Sequence, residues 1–166
     1  LGWRQFGSTN MRFVRSTDLG VTWSAPQTFI GGQGAYVAVG PNGNTQGGSV
    51  YFAAVSGSSI MVNRSTDGGA TFGAQVNATN VSGPGIICAG RYTVKNCIRN
   101  NEFPRMAADN SFTATRGNVY VCYAGNPTGP DNADIFLVRS TDYGTTWSAP
   151  LRVNDDATIT DQWQPS

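Results

Sequence analysis

The sequence predicts an all-β protein built from repeated hairpins, and two observations support that prediction. The 166 residues include 21 glycines, eight phenylalanines, six tyrosines and four tryptophans, but only one lysine and one glutamate, Lys95 and Glu102. Aromatic and β-branched residues between glycine-rich turns are typical of short strands. One eight-residue phrase also recurs three times, which indicates a repeat architecture.

The repeated phrase has the residue types of a hairpin turn. It reads Ser16-Thr17-Asp18-Leu19-Gly20-Val21-Thr22-Trp23 in the first copy and returns at 65–72 and 140–147. Aspartate accepts hydrogen bonds from backbone N–H groups further along a turn, and glycine supplies a positive φ. The aromatic residue then begins the return strand and covers the hairpin.

We assign the phrase a structural role, because three equivalent turns cannot form one active site. An arginine precedes every copy, at Arg15, Arg64 and Arg139. The predicted structural positions are Ser16, Asp18, Gly20, Trp23, Ser65, Asp67, Gly69, Phe72, Ser140, Asp142, Gly144 and Trp147.

The segments around the phrase repeat as well. Residues 35–39 and 104–108 align as first strands of a repeat, and residues 49–54 and 118–123 align as second strands. The predicted organisation is the end of one repeat at 1–30, a second repeat at 35–76, an insertion at 77–103, a third repeat at 104–153 and the start of the next at 161–166.

Cysteine and carboxylate positions bear on disulfides and metals. Cys88 and Cys97 lie close together in the insertion, so we predict a disulfide between them, and Cys122 sits in an apolar strand as a small hydrophobic residue. The chain has no histidine, and the cysteine spacing fits no zinc site. We therefore predict no cofactor and no metal; calcium held by Asp131, Asp134 and Asn132 is the alternative to ordinary turn chemistry.

Charge and hydropathy exclude two classes of partner. The formal net charge is +1 with no basic run, which argues against nucleic acid. No stretch approaches the roughly 20 apolar residues of a membrane-spanning helix. The predicted disulfide favours a secreted, periplasmic or cell-surface location.

The phrase resembles the Asp box, S-x-D-x-G-x-T-W, of the sialidase (neuraminidase) superfamily, whose bacterial neuraminidase repeats build β-propellers. The resemblance implies four-stranded antiparallel blades in which the box joins the third and fourth strands. From the resemblance we expect about two and a half to three blades in this sequence, as part of a six-bladed ring. Because an open arc exposes sheet edges, we expect either a longer polypeptide or self-association that completes the propeller.

The resemblance also places a substrate pocket at the end of the blades opposite the Asp boxes. There we predict a ligand site at Arg91, Tyr92, Arg105 and Trp163, since arginine binds carboxylates and aromatic rings stack on sugars. A glycosidase needs two carboxylates across a cleft, and Glu102 with Asp161 is the pair we nominate as catalytic.

Three functions follow from these residues. The first is a non-catalytic, exported or surface module that presents loops to a glycan or glycoprotein, because most of the sialidase catalytic set finds no match. The alternatives are a fragment of a sialidase-like glycoside hydrolase and a structural subunit that assembles through propeller edges.

Overall fold

The computed structural model describes residues 1–126 and 130–165 as antiparallel sheets. Residues 127–129, within the predicted third repeat, and residue 166, in the predicted start of the next, lie outside the described residues. Across the described ranges the secondary structure is strand and turn without a helix, so none is available to cross a bilayer. The predicted all-β fold class is confirmed.

Three large sheets follow one another along the chain. Sheet 1 contains β1 (Gly2–Arg4), β2 (Asn10–Phe13) and β3 (Gln27–Ile30). Sheet 2 contains β4 (Gln33–Asn42), β5 (Thr45–Ser56), β6 (Ser59–Ser65) and β7 (Val76–Asn80). Sheet 3 contains β11 (Arg105–Ala108), β12 (Val119–Gly125), β13 (Asp134–Ser140) and β14 (Leu151–Arg152), and within each sheet every strand pairs with its neighbour in sequence.

Each copy of the Asp-box-like phrase joins the last two strands of a large sheet, and we call residues 16–23 box 1, residues 65–72 box 2 and residues 140–147 box 3. In box 2 the Ser65 hydroxyl accepts from Gly69 N at 2.7 Å, and the Asp67 carboxylate accepts from Thr71 N at 2.9 Å and Thr71 Oγ1 at 2.7 Å. Boxes 1 and 3 repeat these bonds with Asp18 and Asp142. The aspartate side chain therefore closes the turn by accepting hydrogen bonds from the threonine four residues later.

These bonds change the acidity of the box aspartates. The hydroxyl and then the amide of Thr22 donate to Asp18 and lower its pKa to about 2. Burial acts to raise the pKa of Asp142, but bonds from Thr146 and Ser140 outweigh it and bring that pKa to about 2 as well. Hydrogen bonds also lower the pKa of Asp67, and the largest contribution comes from the amide of Thr71.

The large sheets pack face to face through two hydrophobic clusters. On β5, Val50, Phe52 and Ala54 pack with residues of sheet 1, whereas Tyr51, Ala53 and Val55 pack with residues of sheet 3. The Phe52 ring stacks on Phe29 of sheet 1 with centroids 4.6 Å apart. Sheet 2 thus lies between the other two, with both faces buried, as successive blades of a propeller do.

The insertion contains regular strands. It forms a small inserted sheet of β8 (Ile86–Cys88), β9 (Arg91–Val94) and β10 (Ile98–Arg99). Its first turn places Ala89 and Gly90 at φ of 50° and 74°, the left-handed pair that a two-residue hairpin needs. The Cys88 and Cys97 sulfurs are joined as a disulfide with Cα atoms 5.7 Å apart.

Two predicted boundaries also differ from the structure. Strand β7 continues to Asn80, because Ser59 at the start of β6 still pairs with it, so the insertion begins later than residue 77. Residues 161–165 form no strand, since no neighbouring strand of the described chain pairs with them.

Candidate functional site

The ends of the sheets opposite the Asp boxes carry the candidate site. At one end of sheet 2, Gln33 at the start of β4 pairs with Val55 near the end of β5. At the other end, Ser65, which opens box 2, pairs with Val50. The start of β4 therefore lies away from the boxes, and the start of β11, which is the first strand of sheet 3, lies at the equivalent end.

Two adjoining depressions open there, and together we call them the arginine cleft. The larger encloses about 410 Å³ and is lined by Arg4, Phe6, Gln33, Gly34, Arg91, Arg99 and Phe103. The smaller encloses about 330 Å³ and is lined by Arg99, Asn100, Asn101, Phe103, Arg105, Gln164 and Pro165. Arg99 and Phe103 belong to both and make the two continuous.

The lining of the arginine cleft is cationic. Arg4, Arg91, Arg99 and Arg105 line it, and neither set of lining residues includes a carboxylate. Among residues 1–126 and 130–165 the ion pairs all involve Arg152, so none of the four cleft arginines has an acidic partner within 4.0 Å. Four unneutralised guanidinium groups produce a positive potential that attracts anions.

Two polar donors in the cleft wall lack a partner. The Nε atom of Arg4 and the Nδ2 atom of Asn100 are buried and form no hydrogen bond with the described part of the chain. A buried donor without an acceptor is costly and uncommon, so each is a point at which a bound oxygen would be stabilising. The Oδ1 atom of Asn100 is already used, because it accepts from Asn101 N at 2.9 Å.

The cleft rests on a close contact between Gly34 and Phe103. Gly34 has a φ of 69°, and a Cβ atom added there would lie 2.7 Å from the Phe103 ring. Only glycine therefore allows Phe103 to sit where it lines both depressions. On the far wall, the Arg105 guanidinium lies over the Tyr36 ring, 5.7 Å from its centroid.

The inserted sheet holds two of the four arginines. Arg91 begins β9 and Arg99 ends β10, and these strands pair directly, with Arg99 opposite Thr93. The disulfide joins the end of β8 to the residue before β10, so it fixes the outer strands of this sheet. Asn100 N then donates to the Tyr92 carbonyl at 3.0 Å and directs the chain back into the cleft.

The predicted ligand residues divide into two groups. Arg91 and Arg105 line the arginine cleft. Tyr92 and Trp163 do not line it: the Tyr92 ring lies against Gly83, and the Trp163 ring lies beneath Lys95 with Nζ 5.1 Å from its centroid. A ligand role for Tyr92 and Trp163 stays a prediction.

The nominated carboxylates do not line either depression. Glu102 is half-buried between lining residues but is not one of them. Asp161 accepts a hydrogen bond from Asn132 N at 3.2 Å and so fixes a loop beside sheet 3. A catalytic pair of Glu102 and Asp161 stays a prediction.

The alternative calcium ligands are engaged by an arginine. Arg152 Nε lies 2.9 Å from the Asp134 carboxylate, and Arg152 Nη2 lies 3.5 Å from that of Asp131. Asn154 Nδ2 also donates to Asp134 at 2.8 Å. Within the described ranges, no three acidic, histidine or cysteine side chains are grouped so as to hold a metal ion.

The sequence did not single out Arg4, Phe6 or Gln33 for ligand contact, and it indicated Arg99 only as one residue of the insertion at 77–103. Arg4 ends β1, Phe6 follows it, and Gln33 opens β4, so together with the inserted sheet and Arg105 of sheet 3 four sheets contribute to one cleft. The available signal was topological: turns after second strands and connections into first strands meet at the same end of a propeller.

Comparisons with known proteins agree with this architecture. No family model matches the chain, and no curated protein matches it. Solved structures of the NanB sialidase from Streptococcus pneumoniae do match at 16% identity: a point mutant and a complex with a chlorobenzylammonio-ethanesulfonate each have a TM-score of 0.54, and the complex with Optactamide has 0.53.

These matches define a class of fold. Each covers 87% of this chain but 19% of the sialidase chain, so the protein spans about a fifth of the length of the enzyme it resembles. At this identity the likeness concerns the fold alone. The chain has a sialidase-like arrangement of antiparallel β-sheets.

Proposed function

We propose that the protein is a glycan-binding propeller module and that the arginine cleft takes an acidic sugar. The observation that carries this proposal is the convergence of four arginines without acidic partners on adjoining depressions that share Arg99 and Phe103. Guanidinium groups bind carboxylates through paired hydrogen bonds, which suits the carboxylate of a sugar acid.

Size and apolar lining support a sugar rather than a small inorganic anion. Depressions of about 330 Å³ and 410 Å³ lie at the lower end of the range for small-molecule sites. The Phe103 ring, which reaches both, offers a flat surface to the apolar face of a pyranose. The fold likeness to a sialidase makes sialic acid the first sugar to test.

The proposed role is binding without hydrolysis. Of the two carboxylates nominated for acid–base chemistry, neither lines the cleft, and Asp161 is bonded to the backbone of Asn132. Hydrolysis would need two carboxyl groups facing each other across the scissile bond. We also propose an oxidising, extracytoplasmic compartment for this module, and the disulfide supports that proposal.

Calorimetric titration with sialyllactose and with lactose tests the proposal. We expect sialyllactose to bind and lactose to bind far more weakly, because only the acidic sugar pairs with the arginines. Arg99→Gln removes one charged hydrogen bond, which is worth about 1.5–3 kcal/mol, so affinity should fall about 10- to 150-fold.

Arg139→Gln is the matched control, because it makes the same change on the outer face of sheet 3. Equal affinity for sialyllactose and lactose, or equal losses in the two variants, would contradict the proposal.

A sialidase-like hydrolase is the second candidate, favoured by the fold likeness to the NanB sialidase. Release of a fluorophore from a sialic-acid conjugate, lost in Glu102→Gln and kept in Arg139→Gln, would replace the binding role by a catalytic one. Binding without release would retain the first proposal.

A further inference from the structure

Another depression lies between the last strands of sheets 1 and 2, and it shares no lining residue with the arginine cleft. It encloses about 340 Å³, and we call it the junction depression. Gln27 and Phe29 of β3 contribute to the wall on sheet 1, and residues around box 2 form the wall on sheet 2. Both walls therefore belong to one junction between neighbouring sheets of this chain.

The second copy of the repeat departs from the other two at positions that line this depression. Asn63, two positions before box 2, stands where the other copies have valine, and Gln75, three positions after the box, stands where they have proline. Phe72 replaces a tryptophan, and Gly73 replaces a serine. Since the other copies form the same turn with valine and proline, the turn itself does not require the two amides.

Asn63 places an amide where the equivalent side chain, Val138, is fully buried in the apolar core. The Asn63 side chain is only 6% exposed, and its Nδ2 atom donates to the Gly73 carbonyl at 2.9 Å. Its Oδ1 atom accepts no hydrogen bond from the described residues but retains access to solvent, so this oxygen opens into the depression that Asn63 lines. A polar group in so buried a place is stabilised by a bound donor.

Two glutamines present oxygen acceptors in the same way. Gln27 Nε2 donates to the carbonyls of Gly69 and Ala70 at 2.9 Å and 3.1 Å, and Gln75 Nε2 donates to the Ile30 carbonyl at 2.6 Å. Both amino groups are thus used on backbone across the junction, whereas neither Oε1 atom accepts a hydrogen bond within the described ranges. The depression gathers three amide oxygens, and none of the described residues that line it carries a charge.

Aromatic rings line the depression beside these oxygens. The Phe72 ring is half-buried and meets the Phe29 ring edge to face, with centroids 5.0 Å apart. A phenylalanine at this position takes less space than the tryptophan of the other two boxes. An aromatic ring next to several hydrogen-bond acceptors suits a pyranose, because the apolar face of the sugar packs on the ring while its hydroxyl groups donate.

We infer that the junction depression binds an uncharged hexopyranose, as a second sugar site separate from the arginine cleft. Hydroxyl groups of the sugar donate to the amide oxygens of Gln27, Asn63 and Gln75, and one face of the sugar lies on Phe72. The uncharged lining favours a neutral sugar over an acidic sugar, and over calcium, whose sites usually include carboxylates. This inference holds whether or not the arginine cleft takes an acidic sugar.

Chemical-shift titration of the full, isotope-labelled chain with methyl α-mannoside, methyl β-glucoside and methyl β-galactoside tests the inference. At least one of these sugars should perturb the amides of Gln27, Asn63 and Gly73, with a Kd in the millimolar range because three neutral hydrogen bonds contribute little. Asn63→Val and Gln75→Pro each restore the residue of the other two copies, so both variants should fold. Each should weaken binding about two- to twelvefold, which is the value of one neutral hydrogen bond.

Asn77→Val is the matched control, because Asn77 is an exposed asparagine of β7 that does not line the depression. It should leave the sugar-induced shifts unchanged. Asn63→Val should also leave any shift that sialyllactose causes at Arg99 unchanged, so a failure of the arginine cleft to bind would not affect this test. Three outcomes would overturn the inference: no shift in the junction depression with any of the three sugars, equal losses in Asn63→Val and Asn77→Val, or shifts there with calcium chloride but with no sugar.

Discussion

Gly34→Ala tests how the arginine cleft is held open. Gly34 has a φ of 69°, and an alanine Cβ there would lie 2.7 Å from the Phe103 ring, well inside contact distance. The substitution should therefore strain the backbone and also displace a ring that lines both depressions.

The expected loss of unfolding free energy in Gly34→Ala has two parts, and a matched control separates them. Alanine in the left-handed region costs roughly 1–2 kcal/mol at either site. At Gly43, which has a φ of 55° with nothing within 4 Å of an added Cβ, strain is the whole effect. At Gly34 the overlap with Phe103 adds about 1–3 kcal/mol, so that Gly34→Ala should lose about 2–5 kcal/mol and Gly43→Ala about 1–2 kcal/mol.

Urea denaturation of both variants measures the difference in the free energy of unfolding. Titration with sialyllactose then shows whether the displaced ring matters for binding: Gly34→Ala should bind more weakly, and Gly43→Ala should bind as the unmodified chain does. Equal losses of stability in the two variants would refute the contact between Gly34 and Phe103. Unchanged binding in a destabilised Gly34→Ala would refute the role of Phe103 in the cleft.

Three further predictions concern the fold and its disulfide. Hydrogen bonds from Thr22 lower the pKa of Asp18 from 3.8 to about 2. The ionised carboxylate therefore contributes stability that is present above pH 3.8 and is lost as the pH falls toward 2. A urea midpoint that does not fall between pH 3.8 and pH 2 would contradict this prediction. Replacing both Cys88 and Cys97 by serine removes a cross-link between residues 9 apart in sequence, so the free energy of unfolding in urea should fall by about 2–3 kcal/mol. Sialyllactose should also bind more weakly. Unchanged values would show that the inserted sheet holds its arginines without the disulfide. Phe52→Ala should lower the free energy of unfolding by about 3–5 kcal/mol, because the Phe52 ring is only 1% exposed between the sheets. Ile159 is exposed, so Ile159→Ala is the control and should be nearly neutral. Equal effects of the two substitutions would exclude face-to-face packing of sheets 1 and 2.

The repeat made much of the fold predictable from sequence. The Asp-box turns identified the last hairpin of each large sheet, because the aspartate, glycine and threonine at fixed spacing satisfy one another within the turn. The alignment of residues 49–54 with 118–123 then predicted β5 as a second strand, although its burial on both faces depends on neighbours that lie far away in sequence.

The inserted sheet was the main element that sequence did not predict. Its strands are two to four residues long, and exposed residues such as Ile86, Ile87 and Ile98 show no alternation of buried and exposed positions. The turn at Ala89 and Gly90 is the local signal for its first hairpin. So few backbone hydrogen bonds would leave the inserted sheet only marginally stable, and the disulfide adds the stability that it needs.

The candidate site was predicted only in part. Arg91 and Arg105 were identified because the insertion and the start of a first strand were expected at the pocket end of the propeller. Arg4 reaches the same cleft from sheet 1, and no local pattern marks that approach. Cys122, predicted as a small buried hydrophobic residue, is half-buried and lines the outer face of sheet 3 instead.

Chemical-shift mapping of the isotope-labelled chain during titration with sialyllactose tests the central claim most directly. Perturbed amides should lie at Arg4, Gln33, Arg99 and Arg105, which come from four separate sheets and meet only if the three large sheets pack face to face with their Asp boxes at the opposite end. Perturbations confined to one sheet, or centred on the Asp-box turns, would contradict both the arrangement and the site.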